Sequence, residues 1–293
     1  MAARRDSLSD RAQRAAAGDL PLRAGALVEG LYAGAHRAIE RGGAGEFIDH
    51  RDYAPGDAPA RIDWKLAARS DRLQVRRRRS EAQATALVAL DASASMGFGE
   101  KWRIGQELAA ALAIVAVRQG ERAGVIVSSG ARVEAGAGWT RAQKVVAAIE
   151  RSRPAGEMGL GAALATAAQV RPRPSIVLGV GDALEEAAGI IEACARLRFG
   201  EGGRASDVRI VQVVAPEELD VAAFGAARFT DPEGGGATRA VGQRVAGAYR
   251  ERVRAHLDET HERLAALGVR HTLARTDGDL GATLRAVCEA RRH

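Results

Sequence analysis

Aromatic side chains make up only 4% of this 293-residue chain, and cysteines number two. Cys194 and Cys288 lie far apart, and neither has a second thiol or histidine at metal-site spacing. Both fall in helical patterns, so buried free thiols in a reducing compartment are expected, and a disulfide scaffold or zinc module is not. Long apolar runs are missing as well. The longest, Leu108 to Val117, is far shorter than the roughly 20 residues a membrane span needs. The first residues are charged (Arg4, Arg5, Asp6) and no apolar stretch follows them, so no secretory leader is read there. A soluble cytoplasmic protein without membrane insertion is the expectation.

Nucleotide motifs are also lacking. No G-x-x-x-x-G-K-[ST] occurs, and Gly97-Phe98-Gly99 has no third glycine to make a dinucleotide fingerprint. The six histidines (His36, His50, His256, His261, His271, His293) have no nucleophile elbow nearby, which argues against a Ser-His triad. A formal net charge of +6 permits attraction to acidic partners. Yet the arginines are scattered rather than gathered with stacking aromatics, so nucleic acid is not an expected partner. The basic run Arg76 to Arg79 reads as a charge-protected edge strand, with contact to an acidic partner or nucleic acid as the alternative.

What is present is a strand-and-helix alternation. Residues 1 to 20 are Arg/Ala-rich without a clear apolar face and are expected to fray. A short helix is read around Val28 to Ile39, then a flexible glycine stretch ending at Phe47. Tyr53 to Asp57 has the chemistry of a turn, and Leu73 to Val75 that of a short strand. Thr85 to Leu90 is an apolar run typical of a strand covered on both faces. After it come a helix from Lys101 to Gln119, a strand from Ala123 to Ser128 and a hairpin partner from Ala131 to Ala135. Helices follow at Thr140 to Glu150, with Thr140 as cap, and at Leu160 to Val170, which is stopped by prolines. Ser175 to Val180 and Val208 to Val214 are strands flanking a helix from Leu184 to Leu197. Ala215 to Ala240 is irregular. A long helix marked by Val245 to Leu267, a strand from Val269 to Ala274 and a helix from Leu280 to Ala290 close the chain. Strands separated by helices imply a largely parallel α/β sheet with helices on both faces.

The central apolar strand ends in Asp91-Ala92-Ser93-Ala94-Ser95. In open α/β sheets ligands bind at the carboxyl ends of strands, and one carboxylate with two hydroxyls there is a hard oxygen set suited to Mg²⁺. The alternative is a serine-rich turn in which Asp91 and Ser93 cap the next helix. The D-x-S-x-S pattern resembles the metal-ion-dependent adhesion site of von Willebrand factor A domains. A longer signature precedes it: Glu46-Phe47, Arg51, Tyr53, Pro55-Gly56-Asp57, Arg61-Ile62-Asp63-Trp64, Ala68-Arg69, Leu73, Val75 and Glu81. Together they resemble the domain-of-unknown-function family fifty-eight, whose members carry this signature before a von Willebrand A-like domain. Ala58 departs from that family, which has a second Asp there. The likeness resumes at Thr230 to Gly234 and Tyr249 to Leu267. It covers most of the chain after Gly45, and with the flexible N-terminus over 1–20 the expected division is an N-terminal extended arm over 21–83 and a von Willebrand A-like domain over 84–293. Arg51, Asp57, Arg61 and Asp63 are read as ion pairs pinning that arm.

The resemblance also implies a ligand set. Asp91, Ser93, Ser95 and, in the third loop, Asp182 match four of the five adhesion-site positions, for Mg²⁺ or another divalent cation. Met158 stands where the family has a metal-associated Thr, and a thioether is a poor Mg²⁺ ligand. Two facing carboxylates repel unless a cation or donors intervene. Members of the similar family are encoded beside MoxR-type AAA+ ATPases and membrane-bound von Willebrand A proteins. A non-enzymatic adaptor for such an ATPase, chaperone-like or assembly-related, is therefore the implied role. The alternative is a metal-dependent hydrolase or phosphotransferase centred on Asp91. Against it, Ser93 replaces the second carboxylate that an Asp-x-Asp phosphotransferase would use as acid and base.

Overall fold

Ser7 and Asp10 close a reciprocal cap on the first helix, α1 (Leu8–Ala15): the Asp10 amide donates to Ser7 Oγ, and the Ser7 amide donates to Asp10 Oδ2. Leu8 and Ala12, four residues apart, share a buried face with Ala16. The expected fraying of residues 1–20 is thus corrected for this segment. A cap and a stripe of small apolar residues suffice because a neighbouring helix supplies the rest of the contact.

The computed structural model describes residues 7–17, 46–52, 63, 66–67, 73–79, 84–170, 175–184, 187–200, 206–219, 228–230, 237–239 and 243–289. The chain divides into two units, Met1–Gly25 with Ala84–His293, and Ala26–Gln83. In the second unit, β1 (Glu46–Asp52) and β2 (Gln74–Arg79) pair antiparallel, with Asp49 opposite Arg77 and His50 opposite Arg76. The flexible stretch expected up to Phe47 is therefore a strand from Glu46, and the short strand expected near Leu73 runs on through the arginine run. Asp63 closes a local turn. Its carboxylate accepts from the Leu66 amide at 3.2 Å, and its own amide donates to Gln74 O at 2.9 Å. The helix expected near Val28 and the Tyr53 turn lie outside the described residues.

The first unit continues through β3 (Thr85–Leu90), α2 (Lys101–Arg118), β4 (Arg122–Val127), β5 (Arg132–Gly136), α3 (Trp139–Arg151), α4 (Leu160–Val170) and β6 (Ser175–Gly181). It then runs through α5 (Ala187–Phe199), β7 (Asp207–Val214), α6 (Pro216–Leu219), β8 (Arg228–Thr230), β9 (Ala237–Arg239), α7 (Gln243–Ala266), β10 (Arg270–Arg275) and α8 (Leu280–Cys288). Six strands form one sheet in the order β10-β7-β6-β3-β4-β5, all parallel except the β4–β5 pair. This is the mostly parallel α/β sheet that the alternation implied. α6 and the β8–β9 ribbon fall in the stretch expected to be irregular.

Successive residues of the central strand feed opposite cores, because strand side chains alternate. Ala86, Val88 and Leu90 join α1, α2, α3 and α8, whereas Leu87 and Ala89 join α4, α5 and α7. That is why β3 reads as an unbroken apolar run. Each fully buried Val or Leu in these layers contributes about 1.5–3 kcal/mol. Cys194 and Cys288 are buried free thiols, and burial pushes them up to about 12 and about 11. Among the described residues no helix is long and apolar enough to cross a membrane.

Two helix starts differ from expectation. α3 begins at Trp139 after Gly138, whose φ of 83° suits glycine, so Thr140 lies inside the helix and is not its cap. The helix expected from Leu184 is α5, which starts at Ala187. Leu184 is held outside it by a turn described below.

Candidate functional site

β3 leads through α2 to β4 on one side of the sheet, while β6 leads through α5 to β7 on the other. The crevice between the carboxyl ends of β3 and β6 is thus the switch point where this architecture places ligands. Leu90 pairs with Val180 in register, and the Asp91 amide donates to Val180 O at 2.8 Å. Asp91 and Asp182 leave these neighbouring strand ends, and both are buried. Between them, Gly181 is required by space: a Cβ there would stand 2.5 Å from Asp91 Cβ and 2.7 Å from its Oδ2.

The first loop is organised by Asp91. Its Oδ1 accepts from the Ser93 amide at 2.8 Å, an Asx turn. The Ser93 and Ser95 hydroxyls then lie 3.0 Å apart, and a 3₁₀ turn follows at Ala94–Gly97. At the end of β4, Ser128 Oγ accepts from the Ala92 amide at 2.9 Å. The second loop is stitched to the first by backbone bonds from Ala155 N to Ala92 O and from Ala94 N to Gly156 O. Its Met158 side chain is 61% exposed.

The third loop carries the largest surprise. Asp182 Oδ2 accepts from Lys101 Nζ at 2.8 Å, and Asp182 Oδ1 accepts from the Leu184 amide at 3.2 Å. This second turn, with Ala183 at φ 51°, is what keeps Leu184 out of α5. Lys101 Nζ also donates to Glu218 Oε1 at 2.5 Å, and Glu218 Oε2 accepts from the Ala215 amide at 2.8 Å. Lys101 has no exposed surface at all. Burial works to lower its pKa, but the charges and hydrogen bonds of Asp182 and Glu218 outweigh it and hold the ammonium above its ordinary value. Glu218 goes up, because burial outweighs the attraction of Lys101. Gln212 Nε2 donates to the Asp182 carbonyl at 2.9 Å.

The four residues read from the sequence, Asp91, Ser93, Ser95 and Asp182, therefore share one rim. Lys101, Glu218, Ser128 and Gln212 were missed. The one available signal was a lysine opening a helix whose interior is apolar, against the helix dipole. As folded, these donors do not fit Mg²⁺, which demands six oxygens at about 2.0–2.1 Å. Both Asp182 oxygens are engaged, a divalent ion on that carboxylate would face the Lys101 ammonium as a like charge, and Met158 offers no oxygen.

The family model described as "Protein of unknown function DUF58" matches residues 49–263. The uncharacterized proteins Rv1480 of Mycobacterium tuberculosis (strain H37Rv) and Mb1516 of Mycobacterium bovis are each 30% identical over 131 residues, 43% of this chain. The chain spans about two fifths of the length of these curated relatives, 41% of each. Among solved structures, the conserved hypothetical protein BatB of Bacteroides thetaiotaomicron aligns with a TM-score of 0.44 at 16% identity, covering 70% of this chain and 95% of that one. The family match spans most of the chain, and the protein belongs to DUF58.

Proposed function

We propose, with membership of DUF58 as the premise, that this protein is a non-enzymatic adaptor whose strand-end rim docks a cytoplasmic MoxR-type AAA+ ATPase. The observation that carries this reading is the make-up of the rim. Three large apolar side chains stand exposed on its three loops: Phe98 at 41%, Met158 at 61% and Leu184 at 50%. Each is tied to the buried polar floor. Phe98 lies with its ring centroid 5.7 Å from Lys101 Nζ, the Met158 loop is bonded to residues 92 and 94, and the Leu184 amide caps Asp182. Apolar side chains gathered around a rigid polar centre suit partner recognition.

Supporting the non-enzymatic reading, the floor's carboxylates are committed to structure. Asp91 holds its own turn and Asp182 is paired with an ammonium, whereas a hydrolase needs a nucleophile beside a working acid or base.

The test is co-expression with a MoxR-type AAA+ ATPase, followed by affinity capture with and without nucleotide. Wild type is expected to retain the ATPase. Met158→Asp and Leu184→Asp, both at exposed positions, are expected to weaken retention by about tenfold or more, about 1.4 kcal/mol, with thermal melts unchanged. Absence of capture by wild type in every nucleotide state would end this reading.

A further inference from the structure

We propose that the Lys101 ammonium is the resident cation of this rim, occupying the charge-compensating place that a divalent ion would take, so that the rim holds its shape without metal. The claim concerns the floor alone and does not depend on what docks above it.

Three observations converge on Lys101. First, the side chain is wholly buried, though a lysine is almost never so placed without partners. Second, it belongs to the opening residue of α2, where the positive end of the helix dipole disfavours a cation. Both penalties need compensation, and it comes from two carboxylates on separate elements: Asp182 beyond β6 at 2.8 Å and Glu218 on α6 at 2.5 Å. Third, one ammonium thereby joins three segments at the carboxyl edge of the sheet: the start of α2, the loop after β6 and the turn after β7. A metal ion bridging carboxylates from different loops does the same mechanical work. Nζ and a metal ion would compete for the same carboxylate oxygens, and Lys101 is covalently attached, so it is always present.

Removing the ammonium should therefore create what wild type lacks. The Asp182 and Glu218 oxygens now bonded to Nζ would face a vacated point between them, and Mn²⁺ with added water is the chemistry they would accept.

The experiment uses the full chain, freed of metal by chelator and titrated with Mn²⁺. Binding is read by calorimetry and by loss of the free-ion paramagnetic signal, with folding checked by circular dichroism. Wild type is expected to show no stoichiometric binding. Lys101→Met should gain one site, with affinity at least about tenfold above any residual wild-type uptake, and Mn²⁺ should raise its melting temperature. Lys101→Arg keeps the charge and Glu218→Gln keeps the Lys101–Asp182 pair, so neither should gain the site. These two and wild type carry the test if Lys101→Met does not fold. Stoichiometric Mn²⁺ binding by wild type or by Lys101→Arg overturns the proposal, as does a folded Lys101→Met that binds none.

Discussion

Gly181 and Asp91 approach so closely that even a methyl group on the glycine would overlap the aspartate, at 2.5 Å from its Cβ. The contact lies between adjacent parallel strands whose register is fixed along their whole length, so neither residue has room to retreat. Gly181→Ala should destabilise the fold by about 1–3 kcal/mol, the usual range for overpacking. It should also displace the Asp91 turn, lowering partner capture beyond what the stability loss explains. Denaturant unfolding and capture, compared with an equally destabilised variant such as Ile176→Val, separate the two effects. A melt identical to wild type would contradict the geometry.

At the opposite edge of the sheet, Arg209 serves two purposes at once. Its Nη2 donates to Asp207 Oδ2 at 2.7 Å, while its Nη1 donates to the Val287 and Cys288 carbonyls at 2.6 and 3.2 Å, capping the last turn of α8. Arg270 adds a further bond to the same Asp207 oxygen at 2.8 Å. Arg209→Ala removes a buried cation and strips two helix-end carbonyls of a donor. Arg270 still pairs Asp207, so the cost should fall below the about 3–5 kcal/mol of leaving a buried charge uncompensated. Hydrogen exchange should show the loss concentrated in α8; a uniform or negligible change would refute the capping role.

His271 sets a pH dependence. Burial, reinforced by the neighbouring His261 3.3 Å away, pushes it down to about 4. Its Nε2 is 2.9 Å from Gln212 Oε1, which fits the neutral donor form. Below its ordinary value near 6.5 the unfolded chain takes up a proton that the folded chain resists. The stabilisation is therefore complete above pH 6.5 and is lost progressively as pH falls towards 4, amounting to about 2–4 kcal/mol. Unfolding free energies at pH 7, 6 and 5 should fall steeply for wild type and less for His271→Gln. Parallel slopes would assign the loss to other groups.

How much of this was readable beforehand depended on the range of the interactions. β3 announced itself because a strand covered on both faces must be apolar at every position, and α4 matched its expected bounds, Leu160 to Val170. Asp91, Ser93 and Ser95 stood out as oxygen side chains at a strand end and Asp182 through the family pattern, and the register of β3 with β6 brings the two carboxylates to neighbouring strand ends. Lys101 was not readable, since its partners lie 81 and 117 residues away and no local pattern encodes such a pairing. α3 misled for a different reason: Thr140 has cap chemistry, but the left-handed Gly138 starts the helix one residue early. α1 was hidden by its composition, because five of its eight residues are polar or charged and its apolar stripe is short.

That stripe makes α1 a sharp test of what holds the N-terminal segment. Leu8 is 2% exposed, Arg11 Nε donates to Glu107 Oε1 at 2.6 Å, and Arg118 Nη1 donates to Ala16 O at 2.6 Å. A docked helix predicts that Leu8→Ala costs about 2–5 kcal/mol or frees the helix locally, and that Ser7→Ala costs about 1 kcal/mol through the cap. Limited proteolysis should then cut near residue 16 in Leu8→Ala and spare wild type. Equal cleavage of both would mean that the helix does not stay docked.

Met158 offers the reverse experiment, restoring a residue instead of removing one. Met158→Thr supplies the hydroxyl that adhesion sites of this kind use, at an exposed position where substitutions usually cost under about 0.5 kcal/mol. If the missing oxygen were the obstacle to metal, this change would produce a Mn²⁺ response. With Lys101 still on Asp182 the electrostatic obstacle is untouched, so the response should stay flat. In the double variant with Lys101→Met, tighter Mn²⁺ binding than by Lys101→Met alone would mean that the new hydroxyl joins the oxygen set. Calorimetry on the single and double variants orders the two causes, and a strong response from Met158→Thr alone would shift the explanation from the lysine to the loop.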